Sequence, residues 1–374
     1  MRIALDGRTI SDHFPGIGRY TFNLAGALAQ ALPAGDELIV LHNPGQTNTR
    51  FDLAALAAHP SLRLALTDVP NFALREQWLL PALLRRLGAD VYHSPYYWMP
   101  YRPGCPTLVT LHDLIPIHCP RDYSAGARLL FAVAIRLAAR AAQRVISVSL
   151  ATAADLRQLL HVAPARLVTI PEAPDPIFRP QPPEAVAVVR GRYDLPPDYV
   201  LYFGSNKPHK NLVRLLRAYA RLELSPDLPP LVISGHWDER FPAARRAAEA
   251  SGAGHQVRFI GPVEQSHLPA LYGGARLFAF PSVYEGFGLP PLEAMACGVP
   301  VACSNTSSLP EVVGDAALTF DPLDEAAIAA ALARGLNDPA LRADLSARGL
   351  ARARLFTWTR AAQQTLDVYH SLAP

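Results

Sequence analysis

The feature that most constrains this chain is an alternation of short apolar runs with longer stretches of helical period, interrupted once and then restarted. Short, largely apolar runs of this kind, alternating with helical stretches, suit the strands of a parallel sheet covered by helices. In the first half the runs are Ile3–Leu5, Leu38–His42, Val91–His93, Thr107–Leu111 and Arg144–Val148. The spacing predicts helices over Tyr20–Ala31, Arg75–Leu87, Ala127–Ala142 and Thr152–Leu160. Prolines at 171, 174, 176, 180, 182 and 183 then stop both kinds of element, which marks an interdomain hinge. Strands resume with Val200–Phe203, Leu231–Ser234, Val257–Ile260, Leu277–Ala279 and Val301–Cys303. The expected fold class is α/β, two doubly wound Rossmann-like domains over 1–178 and 179–355. Ligands of open parallel sheets bind outside the carboxyl ends of the strands, so the two domains are expected to face each other across a ligand cleft.

Composition narrows the function. A chain of 374 residues can bury two cores, and an apolar share of 50% with 18% charged residues is far from disorder. A net charge of +3 is small for this length and gives no support to nucleic-acid binding. Cys105, Cys119, Cys297 and Cys303 form no CxxC pair, so neither a zinc site nor a disulfide framework is expected. The N-terminus carries Arg2, Asp6 and Arg8 and builds no apolar signal core, and no run of about 18 apolar residues exists to span a bilayer. A cytoplasmic location follows as the expectation.

The most specific stretch is Pro281–Pro300, PSVYEGFGLPPLEAMACGVP. Pro290 and Pro291 suit the first turn of a helix and Gly298 suits its stop, so the spacing predicts a helix starting at about Leu289. A glycine loop delivered onto a helix N-terminus presents backbone amides and the positive dipole end to an anion such as a diphosphate. Glu285 stands on that loop and Glu293 on the first turns of the helix, so the two carboxylates can flank one extended ligand. Either glutamate alone is better explained as a dipole partner at a helix start. The whole string carries the functional reading.

With seven residues between its glutamates, this segment resembles the motif of the retaining GT-B glycosyltransferases of group 1, also called family 4. The likeness continues through EGFGLP, LEAMACGVPV and LPEVVGDAAL, and is strongest over Tyr199–Ala317. The resemblance implies transfer of a hexose from a nucleotide diphosphate sugar to a saccharide or lipid-linked saccharide, with retention at the anomeric carbon. It implies that Glu285 meets the transferred sugar and Glu293 the ribose. The backbone of Gly286, Phe287, Gly288 and Leu289 would then lie near sugar and phosphate. It also implies that a last helix, opening at Phe356–Thr357–Trp358 and running over 356–374, packs back on the N-terminal domain.

Three shorter motifs join it. LYFGSNKPHKNL is a strand, a glycine turn and a basic approach to a helix; two lysines, Lys207 and Lys210, and a turn rich in donors that includes Ser205 would hold a diphosphate, and the family resemblance singles out Lys210. A charge pair at about 4 Å is worth on the order of 4 kcal/mol at an effective dielectric near 20, so a single lysine there affects the rate. The string resembles the family's G-x-x-x-P-R-K-N, with His209 where arginine is usual. Lys207 and His209 stay open as helpers or as a solvated basic loop. Near the N-terminus, Gly16 and Gly18 in PGIGRY read as a glycine loop between the first strand and first helix, and the resemblance sets them against the ligand. Thr21 breaks a dinucleotide fingerprint, and no acidic residue ends the Leu38–His42 strand, which disfavours an oxidoreductase. His112 ends a strand in VTLHDLIP, a segment whose histidine lies beside the donor sugar in the family. His93, in VYHSP, reads as acceptor-side or structural.

No Asp-x-Asp element occurs, so no catalytic metal and no cofactor are expected beyond the donor itself. The resemblance extends to bacterial mannosyltransferases of polysaccharide biosynthesis, which implies GDP-mannose, with a UDP-sugar such as UDP-glucose as the alternative. With Arg128, Arg136 and Arg140 among its apolar residues, the Ala127–Ala142 helix is expected first to pack on its own sheet and expose its arginines; peripheral contact with the inner membrane surface is the alternative the resemblance implies. A nucleotide-sugar epimerase of this fold and a non-catalytic sugar-nucleotide sensor are the competing functions.

Overall fold

The computed structural model describes residues 1–222, 228–250 and 256–372. They form two compact units: Met1–Ile117 with Ser124–Glu172 and Phe356–Pro374, and His118–Tyr123 with Ala173–Leu355. The passage between them comes after Glu172, ahead of the position 178 suggested by the proline run. Residues just past it already belong to the second core: the Phe178 ring meets Tyr272 edge-on, with centroids 5.7 Å apart.

The first unit is a parallel seven-stranded sheet. Its strands are β1 (Arg2–Leu5), β2 (Glu37–His42), β3 (Leu62–Leu66), β4 (Val91–Ser94), β5 (Thr107–Leu111), β6 (Arg144–Ser147) and β7 (Leu167–Thr169), in the order β3-β2-β1-β4-β5-β6-β7. Helices α1 (Pro15–Ala31), α2 (Leu53–Ala57), α3 (Glu76–Leu87), α4 (Ile115–His118), α5 (Ala125–Ala141) and α6 (Leu150–Leu160) connect them. The inner strands β4 and β5 are buried at every residue, which is why they read as continuous apolar runs. The edges β3 and β7 were not foreseen. At an edge only part of each strand is covered, so Arg63 sits exposed inside β3 and no residue of β7 is fully buried.

The expected loop over Gly16–Tyr20 is instead the opening of α1. Pro15 takes the first helical position, and the Gly18 amide already donates to the Phe14 carbonyl at 2.7 Å. At the end of β1, Arg8 is 1% exposed and donates to Asp6 at 2.6 Å and Glu76 at 2.9 Å. The Tyr92 hydroxyl adds a bond to Asp6 at 2.8 Å. This buried ion cluster ties β1 to the first turn of α3, and burial pushes the Glu76 carboxyl up to about 7 against the pull of Arg8.

The second unit repeats the plan with β8 (Val200–Phe203), β9 (Leu231–Ser234), β10 (Val257–Gly261), β11 (Leu277–Phe280), β12 (Val301–Ser304) and β13 (Ala317–Phe320). All pairs are parallel, in the order β10-β9-β8-β11-β12-β13. Its helices are α7 (Pro183–Arg192), α8 (Leu212–Ala220), α9 (Ala243–Ala250), α10 (Leu268–Gly273), α11 (Leu289–Ala296), α12 (Leu309–Val313), α13 (Glu325–Asn337) and α14 (Pro339–Ala353). In both sheets the strand order reverses direction beside the first strand of the unit, between β1 and β4 and between β8 and β11. Loops leaving the sheet at such a reversal diverge and open a crevice for ligand.

The last helix, α15 (Trp358–Leu372), belongs to the first unit. It is held there by a fully buried polar chain. The Tyr369 hydroxyl meets His93 Nδ1 at 2.7 Å, His93 Nε2 meets Thr110 Oγ1 at 2.8 Å, and Thr110 meets the Tyr20 hydroxyl of α1 at 3.0 Å. His93 is therefore a structural hub, and burial, helped by nearby His112, pushes its imidazole down to about 3. Among the described residues no helix is long and apolar enough to cross a membrane.

Candidate functional site

In the second unit, the loops after β8 and β11 bring Lys210 and Glu285 together. Lys210 lies at the end of a short turn, Pro208–Lys210, before α8, and its Nζ donates to Glu285 Oε1 at 2.6 Å. Both side chains are largely buried, at 16% and 10% exposure, and the ammonium also sits 5.4 Å from the Phe280 ring centroid. A pair this sheltered is weakly screened by solvent, so each charge strongly determines the preferred place of the other.

The glutamate loop is fixed by three residues that follow β12. The Glu285 amide donates to Ser307 Oγ at 2.9 Å, and Ser308 Oγ donates to the carbonyls of Glu285 and Phe287 at 3.0 and 2.6 Å. Thr306 Oγ1 donates to the Val283 carbonyl at 3.0 Å. The loop ends at Gly288, whose φ of +113° is a glycine conformation; an added Cβ would also lie 2.7 Å from Leu309. The helix α11 begins at Leu289, as its prolines indicate, and no side chain caps it. Pro290 and Pro291 lack amide hydrogens, so donors at this helix end come from Leu289 and the loop before it.

Glu293 is 1% exposed and accepts from the Tyr272 hydroxyl at 3.0 Å through Oε2. Asn211 donates to the carbonyls of Pro281 and Pro322 at 3.0 and 2.7 Å, stitching the lysine turn to the start of the glutamate loop. Ser205 is half-buried, and its carbonyl accepts from the Tyr202 hydroxyl at 2.7 Å. His209, one of the two basic residues left open by the sequence, is 4% exposed and turned toward Asp122, with Nδ1 at 2.6 Å from Oδ2. Lys207 lies 5.6 Å from the Tyr123 ring centroid.

In the first unit His112 follows β5. Both ring nitrogens face oxygens: Nδ1 is 2.7 Å from Glu172 Oε1, and Nε2 is 3.0 Å from the Pro95 carbonyl. The Tyr20 ring meets the imidazole edge-on at 4.7 Å. Ile17, Tyr96, Tyr97, Thr110, His112 and Asp113 border a small pocket of about 30 Å³. Gly16 is exposed, with open space where a side chain would be, so its backbone is approachable. Gly18 is buried, and its missing side chain leaves room for the Thr9 carbonyl, which an added Cβ would meet at 2.7 Å.

The structure thus brings Lys210, Glu285 and the start of α11 together in one unit, and places Gly16, Gly18 and His112 in the other. The partners that hold these groups were not foreseen. Asp122, Glu172 and Tyr272 lie far along the chain from the residues they contact, and nothing local marks them. Ser307 and Ser308 did carry a signal, two hydroxyls ahead of a Leu-Pro helix start.

Comparison with known proteins follows this division. Residues 191–352 match the glycosyl transferases group 1 family and residues 15–178 match glycosyltransferase family 4. Over its whole length the chain is 33% identical to O-antigen chain mannosyltransferase B of Escherichia coli, with 100% of both chains covered. It is 32% identical to MMP alpha-(1->4)-mannosyltransferase of Mycolicibacterium hassiacum over 347 residues, 87% of this chain and 80% of that one. Among solved structures, a sucrose-phosphate synthase from Thermosynechococcus elongatus aligns with a TM-score of 0.78 and 26% identity, covering 100% of this chain and 99% of that one.

Proposed function

Because the chain belongs to glycosyltransferase family 4 of the group 1 glycosyl transferases, with two Rossmann-like domains of the GT-B type, we propose that it transfers mannose from GDP-mannose, with retention, to a saccharide or lipid-linked saccharide. The observation that carries the site is the Lys210–Glu285 pair, a cation and a carboxylate 2.6 Å apart beside the strand-order reversal of the second unit. In this reading the donor diphosphate takes Lys210 from Glu285 and lies toward the Leu289 end of α11, with Ser205 and the backbone of Gly286, Phe287 and Gly288 beside it. Glu285, released from the lysine, accepts hydrogen bonds from the mannose hydroxyls, and Glu293 those of the ribose. As the glycosidic bond breaks, charge builds on the leaving diphosphate, and a preorganised ammonium lowers the energy of that state more than of the bound donor.

Both relatives are mannosyltransferases by name, which favours mannose. An alpha linkage appears in one of them, and nucleotide mannose carries its sugar in the alpha configuration, so making such a bond retains it. With Lys210 supplying positive charge, the transfer is proposed to need no divalent ion. His112, oriented by Glu172, is proposed to contact the transferred sugar through the imidazole edge, and Gly16 to offer its backbone to the ligand.

Peripheral membrane contact belongs to the same reading. Along α5, Leu129, Leu130, Val133 and Leu137 are exposed by 40 to 67% together with Arg128, Arg136 and Arg140, and the helix contains no acid. Exposed apolar side chains among arginines suit the headgroup region of an anionic bilayer.

The test is turnover of GDP- and UDP-sugars in EDTA by wild type, Glu285→Ala and Lys210→Ala. The expected result is chelator-resistant turnover of GDP-mannose that falls by about 100-fold or more in each variant. Turnover of a UDP-sugar alone would reassign the donor, and a requirement for metal would overturn the role given to Lys210.

A further inference from the structure

The segment His118–Tyr123 comes from the N-terminal half of the sequence, yet it packs as part of the second unit. Its contacts fall on the immediate neighbours of the two site residues. Asp122 Oδ2 accepts from the backbone amide of His209 at 3.0 Å and faces His209 Nδ1 at 2.6 Å, with both side chains 3% exposed. His209 precedes Lys210. The imidazole of His118 stacks on the Tyr284 ring, with centroids 4.3 Å apart and planes 20° from parallel, and Tyr284 precedes Glu285. Tyr123 lies under Lys207, the residue that precedes the lysine turn, with Nζ 5.6 Å from the ring centroid. The turn and the loop are also joined directly, since the Val283 amide donates to the His209 carbonyl at 2.8 Å. His209 therefore meets the strap through its amide and its ring, and the glutamate loop through its carbonyl.

We propose that the strap 118–123 is a positioning device for the transfer site: Asp122, through His209, sets the place of Lys210, and His118, through Tyr284, sets that of Glu285. The proposal rests on the reading of Lys210 and Glu285 as the donor-contacting pair. A buried carboxylate that takes two hydrogen bonds from one residue fixes the backbone there, and side-chain placement in a transfer site matters at the level of an ångström. Neither strap residue touches the donor in this account. Both act through the residue next to one that does.

The experiment compares wild type with Asp122→Ala, Asp122→Asn and His118→Ala in two readouts, donor turnover and amide hydrogen exchange. Asp122→Ala removes the one oxygen, Oδ2, that faces both the amide and the ring of His209, and should lower kcat by about tenfold or more, while the affinity for GDP or UDP measured by calorimetry changes by less than about twofold. Exchange should quicken at 207–211 and 283–286 and stay unchanged in β12 and α13. Asp122→Asn keeps a carbonyl acceptor and should recover most of both effects; His118→Ala should quicken 283–286 more than 207–211. Unchanged exchange in both segments of folded variants overturns the proposal, as does a kcat loss matched by an equal loss of nucleotide affinity or by faster exchange throughout the unit. If Asp122→Ala does not fold, the ordering between Asp122→Asn and His118→Ala decides. If wild type turns over no nucleotide sugar, the transfer reading fails, and the exchange pattern still decides on the strap.

Discussion

Lys210 and Glu285 neutralise one another in the free protein, which keeps two charges in a half-enclosed place without leaving either uncompensated. In the proposed reading a diphosphate offers the lysine a stronger partner, and donor binding would then release Glu285 in the same event. A second residue, His93, makes a different use of burial. The folded protein holds it neutral down to about 3, whereas its ordinary value is 6.5. Between those values the unfolded chain binds a proton that the folded chain refuses, so stability falls as pH falls from about 6.5 and the loss levels off below about 3. His93→Gln, which removes the titrating group, is expected to shift its urea midpoint less than wild type does between about pH 7 and pH 5. The loop that carries Glu285 and the helix that carries Glu293 were legible from Gly288, Pro290 and Pro291 beside them, whereas the meeting of Lys210 with Glu285, 75 positions away, is written in no local spacing. Gly18 was misread for a related reason: glycine before a helix and glycine within its first turn look the same until the Thr9 carbonyl is seen against it.

Among the elements, α11 was the most legible, since Pro290, Pro291 and Gly298 mark its start and stop by local chemistry alone. The edge strands β3, β7 and β13 were not, because partial exposure allows them polar residues that break an apolar run. Helix α5 shows what periodicity can and cannot tell. Its inward face, Phe131, Ala134, Ile135 and Ala138, follows from helical spacing, and that spacing gives no reason for four large apolar side chains on the outside. If that outer face meets lipid, the protein should sediment with vesicles containing phosphatidylglycerol and not with phosphatidylcholine alone. Leu129→Glu with Val133→Glu should reduce the bound fraction about tenfold or more, by losing apolar burial and adding charge that anionic lipid repels. Equal binding by the variant, or self-association abolished by it, would assign the face to something other than a bilayer.

On the scale of the whole molecule, one strand order serves twice, with seven strands in the first unit and six in the second, and each unit carries part of the proposed chemistry. The glutamates, Lys210 and the helix end lie in the second, while Gly16 and His112 lie in the first. The passage of 118–123 into the second unit was illegible, because its warrant is a pair of long-range contacts to His209 and Tyr284. The proposed reaction is mannosyl transfer from GDP-mannose with retention. Its most direct test is proton NMR of the reaction as it proceeds, with GDP-mannose and a mannose-terminated oligosaccharide, reading the anomeric signal of the first product formed. The expected result is a new alpha-mannosyl signal that grows in step with released GDP and is absent with Glu285→Ala. A beta-mannosyl product, or mannose transferred equally well by Glu285→Ala, would contradict it.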